Sequence, residues 1–535
     1  MRFKELTDEQ KAEIIDSYRN RESIGTTVEK LAIQLATKYG SSERTVRKWF
    51  KKLDLPKKNE PEPEQYQLAK EKVFDKSKKR FIISYAQNNT PVHEKFLKNI
   101  EAYAEYIDAD IHIIAGRYKN PTSLWTSEQE ENEWWDSKIV KYLDANRHDI
   151  HKYMSIMSDI KIQPTAVNPM IGLQALSGVN SCIFGHPRVH MEMIPVLDGN
   201  PPKMMLTTGA LTMKNYTDSK SGKIGEFHHT FGFVVVEIEN KEMFHARQVT
   251  ADDVSGDFSD LYYRVEDGVV SRLNEIEAIV LGDLHCGHHD EEVLDSTLKL
   301  MEELIPNHKI FHDVYDGYAI NHHEMKDPFI QYGKEVNGTN DLAKEIDIMM
   351  DVLSKFKDQK NVVIVRSNHD DFLDRWLKNE DWKKQPTFKN APLYMELSVR
   401  LLKQYAKGGE HIIGVIPELI KEKFPNFITL SLNDSYKVKG WELSQHGSEG
   451  PNGSRGSLMG FRKLNTKVIV GHYHSPGRKD GALAVGTLTK LKLSYNKGAS
   501  SWAQGNVLIH KDGRAQHVFF VKNSKGKAKY TTFKK

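Results

Sequence analysis

The chain has 535 residues, too many for one hydrophobic core, so about two to four domains are expected. Hydrophobic residues make up 39% and charged residues 28%, and no stretch approaches the roughly 18 apolar residues of a membrane span, which excludes an integral membrane protein. The net charge of +3 excludes a polycation and two cysteines exclude a disulfide framework, so we expect any nucleic-acid surface to be local and the location to be reducing and cytoplasmic.

The first predicted module, residues 1–55, is a small helical unit. A candidate helix ends near Gly40, and Ser41 or Ser42 is expected to cap the next one. In that next helix the apolar residues of "VRKWFKKL" recur at i, i+3, i+4 and i+7, which makes one apolar face. This pattern favours a helix-turn-helix, whose second helix can enter a major groove, over a helical hairpin with a solvated basic face. The candidate DNA contacts are Arg44, Arg47, Lys48, Lys51 and Lys52.

The next two segments are a linker and a middle domain. Residues 56–78 are rich in proline and charge and predict a linker. Residues 79–272 begin with a strand, loop, helix and strand, and "KMMLTTGALT" and "FGFVVVEIE" add strands, so we expect an α/β domain. No repeat of solenoid period is present. Two histidine pairs lack a carboxylate cluster at a strand end and are expected to be loop and core residues: His186 with His190, and His228 with His229.

From Glu275 onward, apolar strands alternate with amphipathic helices, which is typical of a layered α/β sheet. Five of the strands end in a tight loop of acid, amide or imidazole residues, and sites in such sheets form just past the carboxyl ends of strands. The five loops are "VLGDLHCG" with Asp283 and His285, "IFHDVYDG" with Asp313 and Asp316, "IVRSNHDD" with Asn368 and His369, "WELSQHGS" with His446, and "VIVGHYHSPG" with His472 and His474.

The residue types in these loops indicate a metal site. Taken singly, each loop is a weak signal, because a turn with a capping Asp has the same appearance. The combined set contains carboxylates, imidazoles and one amide but no thiolate, which suits Mn²⁺ best, with Fe or Zn²⁺ as alternatives. Seven ligands are too many for one such ion, whereas two ions that share a carboxylate can use them all.

The order D-x-H, D-x-x-D, N-H-D, H and G-H-x-H resembles the signature of calcineurin-like metallophosphoesterases over roughly residues 275 to 510. The resemblance implies a layered β-sandwich flanked by helices, which we assign to residues 273–515. The "GHYH" and "QHG" stretches are most similar to the nuclease branch, that of double-strand-break repair exonucleases. The order of modules also resembles the pre-early proteins of some tailed phages that degrade host DNA, which would place the chain in the host cytoplasm.

The resemblance implies a role for each site residue. His369 would be a catalytic histidine that does not bind metal. Asp316 would orient a ligand or His369, and a turn-stabilising role is the alternative. The first ion would be held by Asp283, His285 and His474, the second by Asn368, His446 and His472, and Asp313 would bridge the two.

Three departures from the family pattern bear on function. His312 replaces the glycine before the bridging aspartate, and Ser367 replaces the glycine before Asn368, so the geometry of both loops is in question. Asp316 is followed by Gly317 and a tyrosine, without the arginine that clamps a phosphomonoester in protein phosphatases. This absence argues against a Ser/Thr phosphatase.

Two further segments are predicted to contact DNA. Residues 371–440 are long for a connection between motifs and predict helices inserted above the site, with two tryptophans and two lysines available for DNA, Trp376, Trp382, Lys383 and Lys384. Residues 516–535 predict a basic C-terminal tail that contacts phosphates or is disordered.

The favoured function is a metal-dependent nuclease that hydrolyses DNA. Two cations would lower the pKa of a bridging water, the resulting hydroxide would attack phosphorus in line, and His369 would protonate the leaving oxygen. One alternative is a phosphodiesterase or phosphatase that acts on nucleotides or other small phosphoesters. Another is a DNA-binding regulator with an inert phosphoesterase domain. DNA is the expected partner, no membrane contact is expected, and assembly into a homo-oligomer stays open.

Overall fold

A computed structural model gives the architecture of the chain, which is mixed α/β, as expected. Contacts between residues divide it into two compact units, residues 1–65 and 66–535. No helix in the described ranges is long and apolar enough to cross a membrane. Most of the predicted linker over 56–78 lies outside the described residues, which are 3–21, 26, 28–53, 55, 75, 77–120, 122, 133–385, 387–408, 412–493 and 496–532.

The first unit contains three helices, α1 (Asp8–Arg19), α2 (Val28–Lys38) and α3 (Glu43–Lys52). The Ser42 side chain caps α3 by accepting a hydrogen bond from the Thr45 backbone N–H. The predicted apolar face of α3 is buried, with Trp49 only 1% exposed, and it packs against residues of α1 and α2 such as Ile14 and Leu31. The helical unit predicted over 1–55 is therefore present, while its role in DNA binding stays a prediction.

The second unit begins with strands and helices up to residue 272. They are β1 (Arg80–Gln87), α4 (Glu94–Ile107), β2 (Asp110–Gly116), β3 (Leu143–Asp144), β4 (Arg147–His151), β5 (Met154–Met157), β6 (Ser181–Phe184), β7 (His190–Ile194), β8 (Lys203–Thr207), α5 (Lys220–Phe227), β9 (Gly232–Ile238), β10 (Phe244–Thr250), β11 (Phe258–Asp260), β12 (Tyr263–Glu266) and β13 (Val269–Arg272).

The elements after residue 272 complete the second unit. They are β14 (Ala278–Val280), α6 (Glu291–Leu304), β15 (His308–Phe311), α7 (Pro328–Val336), α8 (Leu342–Ser354), β16 (Val362–Ile364), α9 (Asp370–Asn379), α10 (Ala391–Ala406), α11 (Val415–Lys423), β17 (Ile428–Thr429), β18 (Lys437–Val438), β19 (Trp441–Glu442), α12 (Leu458–Phe461), β20 (Lys467–Val470), β21 (Gly477–Lys479), β22 (Ala482–Ala484), β23 (Gly505–Ile509), β24 (Ala515–Phe519), β25 (Val521–Lys522) and β26 (Ala528–Lys529).

The strands form three large sheets in layers. Their orders are β10-β9-β1-β2-β3, β17-β16-β15-β14-β23-β24, and a ten-stranded sheet β18-β19-β20-β22-β21-β7-β8-β6-β5-β4. The ten-stranded sheet shares one apolar core with the five-stranded sheet, around Ile83 and Ile183, and another with the six-stranded sheet, around Ile310 and Ile469. The helices α4, α6 and α8 contribute to a third core on the other side of the two smaller sheets. Two small sheets, β11-β12-β13 and β25-β26, complete the unit.

Residues 80–250 and 278–519 have the same topology. In each, a strand, a helix and two parallel strands, with one additional parallel strand, β17, in the second half, are followed by five strands of the ten-stranded sheet and then by two antiparallel strands that return to the smaller sheet. The orders β4-β5-β6-β8-β7 and β18-β19-β20-β22-β21 match, and so does the parallel or antiparallel sense of each pair. The two halves meet where β7 pairs with β21 in antiparallel register, with Met191 opposite Arg478. The second unit is thus an internal pair related by an approximate two-fold axis.

Local details agree with this repeat. The helices α4 and α6 each have 14 residues, and each ends at a residue in the left-handed region, Asp108 or Ile305. Each begins at a side-chain cap, His93 or Asp290, whose backbone N–H donates to the leucine of "GALT" or "GTLT". The two halves therefore share helix length, capping and register as well as topology.

The structure corrects the prediction of a separate middle domain over 79–272. Its strands join those of the later half in one continuous sheet, because β7 and β21 would otherwise leave unpaired edges, and an unpaired edge exposes backbone donors and acceptors. The C-terminal prediction is wrong as well. Residues 516–532 are not a tail, since β24 belongs to the six-stranded sheet, Phe520 is buried, and Thr531 and Thr532 donate hydrogen bonds to the buried Glu237 carboxylate.

The inserted segment 371–440 is helical, as predicted, and comprises α9, α10 and α11 before β17 and β18. The prediction that Trp376 is available for DNA is wrong. Its side chain is buried, 4% exposed, and stacks on Tyr394 with ring centroids 3.6 Å apart, because α9 packs its apolar face against α10. Trp382 packs partly against the core, and the Lys384 side chain is exposed.

Deleting residues 521–535 should destabilise the chain. The deletion removes the Thr531 and Thr532 donors to the buried Glu237 carboxylate and leaves only Arg247, among the described residues, bonded to it, so we expect a loss of at least about 2 kcal/mol in the free energy of unfolding. Thermal and urea denaturation measure this loss. Deleting only 533–535 is the matched control and should change nothing. Equal melting temperatures for both deletions would mean that the segment is a dispensable tail after all.

Candidate metal centre

The polar residues predicted to form the centre follow the carboxyl ends of neighbouring strands. β14, β15 and β16 are parallel neighbours in one sheet, and β19 and β20 are parallel neighbours in the sheet that shares its core. Because parallel strands end at the same edge, loops far apart in the sequence meet there. The structure brings together all seven predicted ligands, Asp283, His285, Asp313, Asn368, His446, His472 and His474.

The first cluster contains Asp283, His285 and His474. The His474 Nε2 atom lies 3.3 Å from Asp283 Oδ2 and 3.0 Å from His285 Nε2. His285 Nε2 lies 3.4 Å from Asp313 Oδ2. Two carboxylate oxygens and two imidazole nitrogens therefore converge on one place.

The second cluster contains His446, His472 and Asn368, again with Asp313. The His446 Nε2 atom lies 3.2 Å from Asp313 Oδ2 and 3.1 Å from Asn368 Oδ1. His472 offers a ring nitrogen within 4.8 Å of the Asp313 and His446 ligand atoms. The same oxygen, Asp313 Oδ2, thus faces both clusters.

The chemistry of the two carboxylates fits bound cations. Asp283 and Asp313 are 0% and 1% exposed, and none of their four oxygens has a hydrogen-bond partner among the described residues. Burying ionised carboxylates in this way is strongly unfavourable unless positive charge neutralises them. The separations of 3.0–3.4 Å between donor atoms are also those of ligands held at about 2.1 Å from a shared ion. These His and Asp groups could therefore hold a divalent metal.

Four of the seven ligand positions have strained backbones. His285, Asp313, His472 and His474 have φ values of 41°, 43°, 72° and 54°, in the left-handed region that residues other than glycine rarely adopt. Each such residue costs about 1 kcal/mol or more. The surrounding sheets hold this strain where the candidate ligands converge, which is where strain is expected at a functional site.

Asp316 lies behind the first cluster. The Nδ1–H of His285 donates to Asp316 Oδ1 at 2.8 Å, which leaves the Nε2 lone pair of His285 directed towards Asp313 and His474. A carboxylate behind a ligating imidazole fixes its tautomer and raises its basicity. The backbone carbonyl of Asp316 also accepts a hydrogen bond from His369 Nδ1. Asp316 therefore contacts both residues that it was predicted to orient.

His285, Asp316 and His369 form a third group of potential ligand atoms. The Nδ1 atoms of His285 and His369 are already engaged with Asp316, so this group has the contacts of a polar scaffold. The His369 ring packs between those of His285 and Phe372, at centroid distances of 4.6 and 4.5 Å. Its predicted role as a catalytic group outside the ligand set is compatible with this position.

The buried charges perturb each other. Burial and the neighbouring Asp313 raise the pKa of Asp283 to about 7. Burial alone would also raise the pKa of Asp313, but the imidazoles of His446, His369 and His285 hold it well below its usual range. Burial lowers the pKa of His474, and His285 adds to that effect. The raised pKa of Asp283 means that a cation competes with a proton for this carboxylate, so metal binding should release protons.

The two glycine replacements do not prevent the loops from meeting. The His312 side chain is fully buried, and burial lowers its pKa to about 3. It lies beside Gly471, where an added Cβ would approach the His312 side chain at 2.8 Å and Asp283 Oδ1 at 2.4 Å, so glycine is needed there. The Ser367 backbone N–H donates to Asp370 Oδ2 at 2.9 Å, which stabilises the turn that presents Asn368.

Several residues near the centre were not found from the sequence. Trp502 packs on His474 with ring centroids 4.2 Å apart, and Glu345 of α8 accepts hydrogen bonds from two backbone N–H groups of the loop after Asp316. Arg455 is exposed, and it adds to the effect of burial, which lowers the pKa of His472 to about 4. The only sequence feature that pointed to these residues was the length of the loops. Each residue lies in a segment whose local pattern predicts secondary structure but no functional role.

The remaining candidate residues have different surroundings. In α3, Arg44, Lys48, Lys51 and Lys52 are exposed, and Arg47 is half-buried and forms an ion pair with Glu43. Four histidines in the loops after the first two motifs also differ in their surroundings. His288 Nε2 lies 3.6 Å from Asp316 Oδ2, but His289 hydrogen-bonds to Glu291, and the His322 and His323 rings pack against each other at a tilt. His186, His190 and His229 of the first half are buried, as expected of core residues.

Comparison with known proteins identifies a phage relative. The chain is 30% identical over 487 residues to "Protein A1" of Escherichia phage T5, and this alignment covers 88% of the chain and 87% of that protein. No family model matches the chain. No solved structure matches it either.

Substitutions at the centre should separate ligands from the scaffold. Asp313→Ala should strip metal from both clusters, because one carboxylate oxygen faces both. His369→Ala should leave the metal content nearly intact, because its Nδ1 is engaged with Asp316. Elemental analysis after dialysis against Mn²⁺ measures both, with the buried His186→Ala as the control. Equal depletion of the Asp313 and His369 variants would contradict this division.

Proposed function

The chain belongs to the family of Protein A1 of Escherichia phage T5, and we propose that this member is a phage-encoded, two-metal-dependent phosphodiesterase that hydrolyses DNA in the host cytoplasm. The observation that carries the proposal is the position of Asp313 Oδ2, 3.4 Å from His285 Nε2 and 3.2 Å from His446 Nε2. A buried carboxylate oxygen that faces two imidazole clusters is the arrangement that two ions with a shared ligand require.

The order of the strand-end motifs supports the same conclusion. It is the order of the calcineurin-like metallophosphoesterases, and the loops that carry it follow strands of two sheets that share a core. The absence of an arginine after Asp316 and the "GHYH" stretch favour the nuclease branch of that family over its protein phosphatases. Both arguments rest on resemblance and are independent of the relation to the phage protein.

The ligand residues fit two divalent ions, of which Mn²⁺ suits the oxygen and imidazole donors best. When bound, the ions would supply a hydroxide near neutral pH and stabilise negative charge on the phosphoryl oxygens. The protein does the positioning. Asp316 holds the His285 tautomer, Gly471 lets two loops approach Asp283, and the strained backbones of His472 and His474 aim both imidazoles inwards.

His369 is the proposed proton donor. Its Nδ1–H bond to the Asp316 carbonyl and its packing on Phe372 fix the ring and leave Nε2 to exchange a proton with a substrate oxygen. Burial lowers the pKa of His369, and the carboxylates of Asp313 and Asp316 oppose that shift. A phosphoryl group at the centre would add negative charge and favour the protonated form further.

Positive charge around the chain favours a polyanionic substrate. Arg455 is exposed near His472, and the exposed residues of α3 present a row of basic side chains. A row of this kind binds a phosphate backbone rather than a single small phosphoester. Hydrolysis of nucleotides or other small phosphoesters, and DNA binding without catalysis, are the outcomes that would contradict the proposal.

We expect DNA cleavage only in the presence of a divalent metal. Purified protein should degrade linear or circular DNA with Mn²⁺ and should be inactive in EDTA, because both clusters need cations. Gel electrophoresis over time measures the rate. His474→Ala should lower the rate by about a hundredfold or more, the range typical of lost ligands and their supporting groups.

The controls distinguish the alternatives. A cleavage rate in EDTA equal to the rate in Mn²⁺ would contradict the two-metal mechanism. Hydrolysis of a small phosphodiester such as bis-p-nitrophenyl phosphate without any DNA cleavage would support the small-molecule alternative. A protein that binds Mn²⁺ and DNA but hydrolyses neither substrate would be a regulator with an inert domain.

Removing residues 1–60 should weaken DNA binding more than it slows cleavage at saturating DNA. The predicted ligands all lie in the second unit, whereas Arg44, Lys48 and Lys51 lie on the exposed face of α3. Each lost phosphate contact should flatten the log-log salt dependence of the binding constant by about one unit. Fluorescence anisotropy across a salt series, with EDTA present, measures the slope.

A substitution series refines this test. The triple variant Arg44→Ala, Lys48→Ala and Lys51→Ala should reproduce the effect of the truncation. The matched control changes Lys11 and Lys38, whose charges are already neutralised by Asp8 and Glu13. If the slope and affinity stay unchanged in the triple variant, the basic face of α3 is an ordinary solvated surface.

A further inference from the structure

The internal repeat gives the first half a set of strand ends equivalent to those of the metal centre. Phe81 pairs with Asp110 and Val236 as Ala278 pairs with His308 and Ile509. Phe184 pairs with Thr207 as Val470 pairs with Ala484. Counting onward from these registers gives the equivalent positions, which are Ala86 for Asp283, Asn88 for His285, Ala115 for Asp313, His186 for His472 and Arg188 for His474.

The chemistry at these positions differs between the halves. Alanines, Ala86 and Ala115, stand in place of the two carboxylates, so these positions lack the negative charge that a cation would need. Arg188 replaces the imidazole of His474 and brings a permanent positive charge to the same place. His186 keeps its imidazole, but its two ring nitrogens are engaged with the backbone of Gln163 and Arg188. Among the described residues, the first half therefore has no metal centre at this edge of its sheets.

A cluster of charged side chains occupies this edge instead. We call it the remnant centre and define it as Arg188, His190, His228, Arg462 and Asp480. Asp480 lies in the turn between β21 and β22 of the second half, because the two-fold arrangement brings that turn to the strand ends of the first half. Its carboxylate lies 3.1 Å from Arg188 Nη1, 3.1 Å from His190 Nε2, 3.5 Å from His228 Nδ1 and 3.7 Å from Arg462 Nε.

One acid does not balance the remnant centre. The Arg188 side chain is 2% exposed, and Asp480 engages only its Nη1 atom. Arg188 Nε and Nη2 are buried and have no hydrogen-bond partner among the described residues, and the same is true of His190 Nδ1. A buried guanidinium with unsatisfied donors is expensive, and burial lowers the pKa of Arg188 accordingly.

The free edge of Arg188 has the shape of a receptor for an oxyanion. Nε and Nη2 share one edge of the planar guanidinium and can donate two parallel hydrogen bonds, the geometry that carboxylates and phosphates accept. Arg462 supplies a second positive charge close by. The His228 and Arg462 side chains contact the same Asp480 carboxylate and are 27% and 19% exposed, so the cluster extends from the buried guanidinium to the surface.

We propose that the remnant centre is a binding site for a phosphate-type oxyanion, held by the Nε–Nη2 edge of Arg188 with His228 and Arg462 at its entrance. The first half would thus bind phosphate at strand ends equivalent to those of the metal centre, with guanidinium groups in place of cations. The ligand is either a free phosphate or a phosphate of a nucleic-acid backbone. This inference does not depend on the proposed nuclease activity, since it concerns a different edge of the fold.

Titration of the full-length protein with inorganic phosphate tests the proposal. The buffer contains EDTA, so that no metal is present to bind phosphate at the other centre. Calorimetry should show one site per chain, and phosphate should raise the melting temperature. Arg188→Lys keeps the charge but removes the two-pronged edge, so phosphate affinity should fall by roughly tenfold or more. His474→Ala, the equivalent position in the metal centre, should leave the affinity unchanged.

A second pair of variants keeps the test valid if Arg188→Lys does not fold. Arg462→Ala and His228→Ala change partly exposed side chains and should each weaken phosphate binding several-fold without lowering the melting temperature of the free protein. A short DNA duplex added in EDTA distinguishes the sources of phosphate. Competition with inorganic phosphate that Arg462→Ala abolishes would identify a backbone phosphate, and absence of competition would identify a free one.

Three results would overturn the proposal. The first is no phosphate binding by the metal-free protein at millimolar concentration. The second is binding that His474→Ala removes and Arg188→Lys leaves intact, which would place the anion at the metal centre. The third is unchanged phosphate affinity in folded Arg188→Lys, Arg462→Ala and His228→Ala variants alike. None of these outcomes bears on whether the second half cleaves DNA.

Discussion

Asp283 and Asp313 are buried without a hydrogen-bond donor among the described residues, and the arrangement of the residues around them depends on this burial. Their charge must be neutralised from within, and the imidazoles that approach them are the only described groups placed to do so together with cations. The strained backbones of the surrounding loops and the close approach at Gly471 follow from the need to bring five loops to one place. The sheets supply the packing that holds this strain.

The ten-stranded sheet explains how that packing is achieved. Antiparallel pairing of β7 with β21 removes two exposed edges and joins the halves into one unit with two cores between its layers. The halves differ mainly in what is inserted. The second half has helices α7 and α8 between β15 and β16, and α9, α10 and α11 after β16. These insertions provide Glu345 and Phe372 beside the centre, whereas at the equivalent places the described residues of the first half contain no α-helix and only a short 3-10 helix, Ser137–Tyr142.

The two edges differ in chemistry at equivalent positions of the repeat. The first half has alanines, Ala86 and Ala115, where the second half has carboxylates, and an edge without cations is more stable without buried carboxylates. Arg188 stands where the second half has the imidazole of His474, which reverses the sign of the charge. The turn containing Asp480 shows that the halves remain coupled, because each edge receives a segment from the other half: Val196 of the first half forms a bridge with Ser500, two residues before Trp502, which packs on His474.

The sequence by itself determined the local features. The strand-end loops, the seven candidate ligands and the three-helix unit are readable because each depends on residues close together in the chain: a strand pattern followed by polar residues, or an apolar face at helical spacing. The helical character of 371–440 follows from the same kind of pattern. Departures from the family pattern such as His312 could be seen in the sequence. Their effect on the geometry of the loop could not be predicted from it.

Only the tertiary structure decided what depends on contacts between distant segments. The predicted middle domain became half of a continuous sheet, because the pairing of β7 with β21 joins residues almost 290 positions apart, as Met191 opposite Arg478 shows. The predicted tail became strands, because the buried Glu237 accepts hydrogen bonds from residues near the end of the chain as well as from Arg247. The repeat could not be found from the sequence either, because two segments can share topology and register while most of their side chains differ. The role proposed for Arg188 likewise depends on the residues that surround it in the fold.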